Sequence, residues 1–256
     1  MKILLISGHG AGDSGAVAKI NGKTYKESTE TIVMVKKIKT QLLKYQGVSV
    51  TLYPTGRNAY QDALNGKLQK NLAEYDYVLE LHFNACVNDL KGNGKTTGVE
   101  IYITKADSSK NTEKLIVEEV AKLGLKNRGV KEYNWTVINR AKKAGAESAL
   151  LEICFIDDAD DMAIYLKNKS KIAAKVANGI AKSYGLKKKP TSTSSLKVNS
   201  KVKIKSGAKD ANTGKEYKSF VYNTTYKVIS ISGDYVIFGT GVVATGKTKK
   251  SNVIVQ

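Results

Sequence analysis

The chain has 256 residues, of which 41% are hydrophobic and 25% are charged, a composition too apolar for a disordered protein. Its length suits one sizeable domain and a second, smaller module. No run of about 18 apolar residues occurs, and the apolar stretch at the N-terminus is far shorter than the core of a signal sequence, so we expect no membrane insertion and no signal peptide.

The charge is strongly positive, with 42 Lys and Arg residues against 23 Asp and Glu residues and a formal net charge of +19. Residues 190–256 hold 11 Lys and 3 acidic residues, a net charge of +8, which leaves +11 for residues 1–189. A nucleic-acid reader more often concentrates Arg and aromatic residues in one stripe, whereas this chain has only Arg57, Arg128 and Arg140. We therefore expect an anionic surface as partner, and no specific nucleic acid.

The two cysteines, Cys86 and Cys154, are far apart in the chain and lack the spacing of a metal-binding or redox motif. We expect both to be reduced, buried thiols of a protein made in the cytosol.

The hydrophobic pattern of residues 1–186 alternates between strands and helices. Short apolar runs predict strands, and longer stretches with helical spacing predict helices. In chain order, these are strand 2–7, helix 27–45, strand 48–53, a polar helical stretch to about residue 73, strand 77–83, strand 98–104, helix 111–123, strand 148–156 and helix 160–184. This order predicts an α/β domain with a mostly parallel sheet flanked by helices on both faces.

The composition changes at residues 187–196, where three lysines are followed by a stretch rich in Ser and Thr. We predict a linker there, between a first domain over residues 1–186 and a second domain over residues 197–256. Short apolar segments, separated by turn residues, lie in the second domain at 201–205, 225–232, 234–239 and 253–255. This pattern predicts a small all-β barrel or sandwich.

The chain has only two histidines, and both lie where a predicted strand ends. His9 follows the first strand, and His82 lies near the end of the strand over residues 77–83. Because ligands gather at the carboxyl ends of parallel strands, two imidazoles there indicate a zinc site. A carboxylate as third ligand would leave one position open for water, as catalytic zinc requires. The alternative is that each histidine merely packs at a strand end.

Five glutamates are candidates for the functional carboxylates, namely Glu27, Glu30, Glu80, Glu100 and Glu152. Glu152 lies on the apolar strand 148–156, where an ionised carboxylate is costly unless it meets a hydrogen-bond donor, a cation or a polar cleft. It is therefore the best functional candidate, although it would point to solvent if this strand were at a sheet edge. Glu80 alternates with His82 on one strand face and is either a ligand or a partner of one.

Several motifs of residues 1–186 resemble those of the zinc-dependent N-acetylmuramoyl-L-alanine amidases of bacterial autolysins and phage endolysins. The matching pieces, in order, are Gly8-His9-Gly10 with Asp-Ser-Gly-Ala at 13–16, the glutamate that opens the first long helix, Leu81-His82-Phe83-Asn84-Ala85, Gly98-Val99-Glu100-Ile101-Tyr102, Asn127-Arg128-Gly129-Val130, and Leu150-Leu151-Glu152-Ile153-Cys154-Phe155-Ile156. No single piece is decisive, but their order and spacing together are specific.

This resemblance implies that His9, one glutamate of the first helix and His82 bind one Zn²⁺ per chain, with Glu152 as the acid/base catalyst. For the helix glutamate, Glu27 fits the family's pattern better than Glu30, because a polar and then an apolar residue stand four and five positions after it.

The chemistry that the resemblance implies is hydrolysis of an amide by zinc-activated water. The zinc is expected to polarise the carbonyl and to lower the pKa of its bound water. Glu152 would take the water's proton and pass it to the departing amine of L-alanine. Asn84 is a further candidate, as a substrate-binding residue near the oxyanion.

The tail from Val198 to Gln256 resembles the small Src-homology-like β-barrels that are appended to wall hydrolases, which implies a cell-wall-binding domain. Most of its aromatic residues would fill the core, and its lysines favour a Gram-positive wall with anionic polymers as partner. Together with the expected lack of a signal peptide, this implies an endolysin that is made in the host cytoplasm and acts at the wall after release.

The sequence therefore predicts a peptidoglycan hydrolase that cleaves the amide bond between N-acetylmuramic acid and L-alanine. Two alternatives remain open. The same metal site would suit another peptidoglycan amide, and a catalytically inactive chain would bind a wall or another polyanion.

Overall fold

The computed structural model describes residues 1–107, 109–189 and 196–256. The chain divides into two compact units, residues 1–189 and residues 190–256. Residues 190–195 of the predicted linker lie outside the described residues. The lysines just before them belong to the first unit. Lys187 O accepts a backbone hydrogen bond from Gln46 N, and Lys189 N donates one to Lys44 O, both just after the first long helix.

The first unit alternates strands and helices. Its strands are β1 (Lys2–Ser7), β2 (Val17–Ile20), β3 (Lys23–Lys26), β4 (Ser49–Leu52), β5 (Tyr77–Asn84), β6 (Val99–Ile103), β7 (Asn127–Glu132) and β8 (Glu147–Phe155). Its helices are α1 (Glu27–Leu42), α2 (Ala59–Leu64), α3 (Asn111–Ala121), α4 (Thr136–Lys143) and α5 (Ala159–Ser183), with a short 3₁₀ turn at Leu72–Glu74.

Six strands form the central sheet, in the order β4-β1-β5-β8-β6-β7, while β2 and β3 form a separate hairpin. The ladders of the central sheet are parallel except for the one between β8 and β6. In this strand order, β8 lies between β5 and β6, although β5 and β6 follow each other in the chain. The prediction of a mostly parallel sheet is confirmed.

Helices cover both faces of this sheet, because its strands are apolar on both sides. Ile3 and Leu5 of β1 pack into one core with α1, α3 and α5, whereas Leu4 and Ile6 pack into a second core with α2 and α4. In α1, the buried apolar side chains recur at helical spacing and are Met34, Val35, Ile38 and Leu42. The two cores hold the central sheet from both faces. They thereby fix the carboxyl ends of β1, β5 and β8, where the predicted site residues lie.

The prediction of two buried thiols is correct for Cys154 in β8 and wrong for Cys86, which is exposed. Strand β5 ends at Asn84, so its alternation does not carry Cys86 into the core. The chain turns there with a φ of 90°, and the Cys86 N–H donates to Asp157 Oδ2 over 2.9 Å.

The second unit is a small antiparallel β domain, in agreement with the predicted all-β module. Its elements are β9 (Lys201–Ile204), α6 (Ser219–Asn223), β10 (Tyr226–Ser232), β11 (Tyr235–Thr240), β12 (Val243–Lys249) and β13 (Val253–Val255), with the strands in the order β12-β11-β10-β9-β13. One apolar core fills it, centred on Val202, Tyr226, Val236 and Phe238.

Within the described ranges, every helix is too short or too polar to cross a lipid bilayer.

Candidate metal centre and catalytic cleft

The three predicted metal ligands meet at the carboxyl edge of the central sheet. His9 follows β1, His82 lies in the neighbouring strand β5, and Glu27 is the first residue of α1. The Glu27 carboxylate lies between the two rings, with Oε2 3.1 Å from His9 Nε2 and Oε1 2.9 Å from His82 Nδ1. The ligand atoms of these residues all lie within 4.8 Å of one another.

Each imidazole has a second carboxylate at its other nitrogen. His9 Nδ1 is 2.8 Å from Asp13 Oδ2, which also accepts a hydrogen bond from Asn58 Nδ2 over 3.1 Å. His82 Nε2 is 3.4 Å from Glu80 Oε1. Carboxylates in this position fix the orientation and tautomer of metal-binding imidazoles. Glu80 therefore lies behind His82, outside the group of three, and Asp13 is a supporting residue to which the sequence analysis gave no role.

Glycine shapes the backbone around these side chains. Gly15 has a φ of 62°, and a Cβ at this position would lie 2.6 Å from Glu27 Oε2. A Cβ at Gly8 would overlap the ring of His82. His9 itself has a φ of 64°, in the left-handed region that residues other than glycine seldom adopt outside turns and functional sites. The local backbone thus leaves room for two rings and a carboxylate to meet.

The Glu27 carboxylate, which both histidines contact, shifts the pKa values of His9 and His82. Burial lowers the pKa of His82, but hydrogen bonds with Glu27 and Glu80 outweigh it and raise that pKa well above its usual value. Burial also lowers the pKa of His9, but the hydrogen bond with Glu27 outweighs it, so the pKa of His9 is raised as well. The pKa of Glu27 lies far below its usual range, because its hydrogen bonds with both histidines outweigh its burial. Glu27 is therefore ionised at neutral pH, as a metal ligand must be.

The donor set fits zinc. Two imidazole nitrogens and one carboxylate are the protein ligands of one known type of catalytic zinc site, which keeps a fourth position open. The rings of His9 and His82 lie edge to face, with their centroids 5.0 Å apart, and each directs a nitrogen at Glu27.

A second group of carboxylates, Asp89, Asp158 and Asp160, also has oxygens within 4.8 Å of one another. Most of these carboxylate oxygens already accept backbone hydrogen bonds, whereas Asp89 Oδ2 is buried without a partner among the described residues. Asp160 Oδ2 accepts from the N–H groups of Asn93 and Gly94, and Asp158 Oδ1 accepts from that of Asp160. This group holds the loop between β5 and β6.

Glu152 lies directly across from His82 in the ladder between β5 and β8. Its Oε2 atom is buried and has no hydrogen-bond partner among the described residues. Burial raises the pKa of Glu152 to about 7, against the opposing effect of His82. A carboxyl group with such a pKa is suited both to take and to donate a proton near neutral pH. Since β8 lies inside the sheet, the alternative that Glu152 points to solvent from an edge strand is wrong.

Glu152 and the His-Glu-His group line one cleft of about 490 Å³. Two exposed aromatic residues, Tyr60 and Trp135, also line it. The cleft is large enough for part of a polymeric substrate, and the reactive side chains lie along a single wall formed by the ends of β1, β5 and β8.

Glu30 does not join the histidines. Its carboxylate accepts hydrogen bonds of 2.6 Å from Tyr165 Oη and Lys169 Nζ, both on α5. Three residues along an α-helix correspond to a rise of about 4.5 Å and a rotation of about 60° away from Glu27. The structure thus brings Glu27, and not Glu30, to the two rings.

Asn84 lines the cleft, and its side chain is held on both sides. Its Nδ2 donates to Glu100 Oε1 over 2.7 Å, and its Oδ1 accepts from Ala85 N over 2.8 Å. Glu100 is only 1% exposed and accepts further hydrogen bonds from Tyr102, Arg128 and Lys131. No hydrophobic pattern or spacing in the sequence singles out Arg128 and Lys131.

A mixed sheet with a His-Glu-His group and a separate carboxyl group of raised pKa, in one cleft at its edge, is an arrangement suited to metal-assisted hydrolysis. Comparison with known proteins narrows this reaction class. The model of the family Amidase_3, described as N-acetylmuramoyl-L-alanine amidase, matches residues 3–182. The chain belongs to this family.

Individual relatives agree with the family match. The chain is 30% identical over 229 residues to a sporulation-specific N-acetylmuramoyl-L-alanine amidase of Bacillus subtilis, across 86% of this chain and 82% of the relative. It is 31% identical over 189 residues to the N-acetylmuramoyl-L-alanine amidase LytC of the same species, across 71% of this chain and 35% of LytC.

Among solved structures, the catalytic domain of CwlV, an N-acetylmuramoyl-L-alanine amidase of Paenibacillus polymyxa, superimposes with a TM-score of 0.58 at 25% identity. The match covers 73% of this chain and all of that domain. The family and these relatives support a peptidoglycan amidase activity.

Proposed function

We propose that this chain is a zinc-dependent amidase that hydrolyses the bond between N-acetylmuramic acid and the L-alanine of the stem peptide. The observation that carries the proposal is the set of two imidazoles and one carboxylate, with ligand atoms within 4.8 Å, beside the unpartnered oxygen of Glu152. In this proposal, His9, Glu27 and His82 hold one zinc ion per chain.

Zinc in this position supplies Lewis acidity to the amide carbonyl and to water. The chain's own residues manage the protons and the orientation. Glu152 takes a proton from the attacking water and delivers it to the nitrogen of L-alanine, since an amine leaves readily only when protonated. Asp13 and Glu80 hold the two imidazoles in place. Asn84, oriented by Glu100, is the proposed contact to the substrate near the developing negative charge.

Metal analysis together with product analysis tests the proposal. We expect one zinc per purified chain, loss of wall lysis with chelator and recovery with added zinc. Mass spectrometry of digested walls should show free muramic lactyl groups beside new L-alanine N-termini. Full activity of extensively chelated, metal-free protein would contradict the zinc assignment. Cleavage at another position would identify a different peptidoglycan amidase, and no cleavage would leave a wall-binding or polyanion-binding protein.

The second unit is the proposed wall-binding domain. Its charge supports the proposal, because its 11 lysines outnumber its three acidic residues. In the described part of the chain, all 15 ion pairs lie in the first unit, so none of the lysines in β9 to β13 is engaged by an acidic side chain. Lysines without such partners are available to the anionic polymers of a Gram-positive wall. A phage origin, with synthesis in a host cytoplasm and action after release, stays a prediction from the sequence.

A further inference from the structure

A row of polar side chains crosses four strands of the central sheet, at the edge where β5 and β8 end. His82 on β5 lies opposite Glu152 on β8, and Glu152 lies opposite Glu100 on β6. Residues directly opposite each other in a ladder point to the same face of the sheet. The ladder between β6 and β7 shifts next to Glu100, so that Arg128 and Gly129 share that place, and such a bulge redirects a side chain. The row therefore runs from the metal group through Glu152 and Glu100 to Arg128.

The far end of this row carries more positive than negative charge. Arg128 Nε and Lys131 Nζ both donate to the same atom, Glu100 Oε2, each over 2.5 Å. Glu100 Oε1 is occupied by Asn84 and Tyr102. Two cations thus share one carboxylate, and no other acidic side chain in the described residues pairs with either of them.

Arg128 also has hydrogen-bond donors that no described residue engages. Its guanidinium lies over the Phe155 ring, 5.0 Å from the centroid, and its side chain is 29% exposed. Its terminal nitrogens have no hydrogen-bond partner within the described parts of the chain, since only Nε is engaged. A guanidinium presents its terminal N–H groups as a planar fork that matches a carboxylate. Held by Glu100 and Phe155, this fork is oriented before a ligand arrives.

The spacing of the strands defines which part of the substrate reaches this fork. Neighbouring strands lie about 4.8 Å apart, so β7 lies about 10 Å from β8 and its Glu152. An extended peptide advances about 3.4 Å per residue. A peptide that starts at the scissile amide next to Glu152 and runs along this row therefore brings its second or third residue to Arg128. The glycan strand offers no carboxylate there, because the lactyl carboxyl group is consumed in the amide, whereas the stem peptide is acidic.

We propose that Arg128, assisted by Lys131, forms a subsite that binds a carboxylate on the second or third residue of the stem peptide. The inference rests on the proposed function, and it makes the enzyme selective for stem peptides whose acid groups are free over those in which they are amidated. Arg128 acts in substrate binding, so its loss should raise KM much more than it lowers kcat.

Matched substrates test the subsite. A muramyl tripeptide with free carboxylates is compared with the same compound in which the carboxylates of the second and third residues are amidated. We expect the wild-type protein to have a kcat/KM about ten- to a hundredfold higher on the free acid, as is typical of charge-assisted hydrogen bonds. Arg128→Gln should lose that factor on the free acid and little on the amide. Arg140→Gln, an exposed arginine of α4, is the control and should behave as wild type.

Two results would overturn the subsite. Equal kcat/KM values of the wild type on both substrates would exclude carboxylate recognition. An equal loss by Arg128→Gln on both would mean that Arg128 acts only by holding Glu100.

Calorimetry with the two tripeptides lacking muramic acid separates the subsite from the amidase proposal. Failure to cleave either muramyl substrate would refute the amidase function. The subsite would still be supported if the wild type bound the free-acid tripeptide more tightly than the amide and Arg128→Gln did not, and overturned if both proteins bound the two alike.

Discussion

Glu152 differs from the other glutamates near the cleft in its lack of a partner. Glu27, Glu80 and Glu100 each meet an imidazole or a cation, whereas Glu152 Oε2 is buried and unpartnered. Burial without a partner is the cause of its raised pKa. A carboxyl group without a protein partner is available to exchange a proton with a bound substrate, as the proposed mechanism requires.

Replacement of Glu152 by Gln should therefore remove turnover and leave the metal in place. The change keeps the shape of the side chain and removes only its ability to carry a proton. We expect kcat to fall about a hundred- to ten-thousandfold, the usual contribution of general acid/base catalysis. Steady-state hydrolysis of a soluble muropeptide and metal content give the two readings. Glu147→Gln, at the exposed start of the same strand, is the control. Near-normal hydrolysis by the Glu152 variant would remove it from the mechanism.

Gly15 offers a test of the metal group in which every proposed ligand residue is retained. A Cβ at Gly15 would lie 2.6 Å from both Glu27 Oε2 and His9 Cδ2, so Gly15→Ala should displace these two side chains and reduce zinc content and activity by more than tenfold. Gly22→Ala is a matched control, because Gly22 also has a positive φ, of 77°, but open space around it. Both variants place a side chain at a positive φ, so their backbone strain is comparable. Equal zinc content in the two variants would show that Gly15 constrains neither Glu27 nor His9.

The sequence was sufficient to select the residues that meet at the site, but not the way in which they are held. The two histidines and Glu152 stand out because each is a polar residue on an apolar strand or at its end. Asp13 and Arg128 carry no such signal. Their positions depend on a left-handed turn at His9 and on a bulge in β7, and neither is encoded by a hydrophobic period.

The strands and helices that the sequence predicted are those with a strong apolar pattern. Strands β1, β5 and β8 are buried over nearly their whole length, and α1 and α5 each have a clear apolar stripe. The elements that were missed in the first unit are the hairpin of β2 and β3, together with β7 and α4. These elements are short or only half-buried. Their many polar residues leave no clear hydrophobic periodicity from which a strand or helix could be predicted. The polar stretch before residue 73 shows the opposite error, since it is helical only over α2 and the 3₁₀ turn.

Helix α3 contains a buried carboxyl group that makes stability depend on pH. Glu113 is 5% exposed, and it accepts a hydrogen bond of 2.9 Å from the hydroxyl group of Tyr77. Burial raises its pKa from 4.5 to about 7. An acid whose pKa is higher in the folded state costs stability as pH rises from about 4.5 to 7, because the unfolded chain releases its proton first.

Glu113→Gln should therefore stabilise the first unit at high pH and not at low pH. Its free energy of unfolding should exceed that of the wild type by up to about 3 kcal/mol at pH 8, since one pKa unit corresponds to about 1.4 kcal/mol. At pH 4.5 the two should agree. Urea unfolding followed by the fluorescence of Trp135, the only tryptophan, reports on this unit. Glu118→Gln, on the exposed side of α3, should change little at either pH. A pH-independent difference would contradict the assignment.

At the scale of the whole molecule, the two compact units have separate cores and separate sheets. Residues 1–189 should therefore fold alone and keep the hydrolysis of soluble muropeptides within about twofold of the full chain. On whole walls their activity should fall much further. Circular dichroism and the two hydrolysis assays measure these outcomes. Loss of activity on the soluble substrate would show that the second unit takes part in catalysis.

The second unit supplies the complementary measurement. Residues 196–256 fused to a fluorescent protein should decorate Gram-positive cells, and added salt should release the fusion if its lysines provide the attraction. Absence of decoration at low salt would refute the wall-binding assignment. Salt-resistant decoration would place recognition in uncharged contacts instead.

The position of β8 between β5 and β6 has a consequence for the newborn chain. All three proposed metal ligands have been synthesised once residue 82 is added, but Glu152 follows seventy residues later, on the strand that closes the sheet. Until β8 inserts, β5 keeps an open edge, and β6 and β7 form a pair with nothing to anchor it. Open edges of this kind recruit other chains. A translation product that stops short of residue 147 is therefore prone to aggregation and lacks the proposed proton carrier, so we expect hydrolysis only from a chain whose sheet is complete.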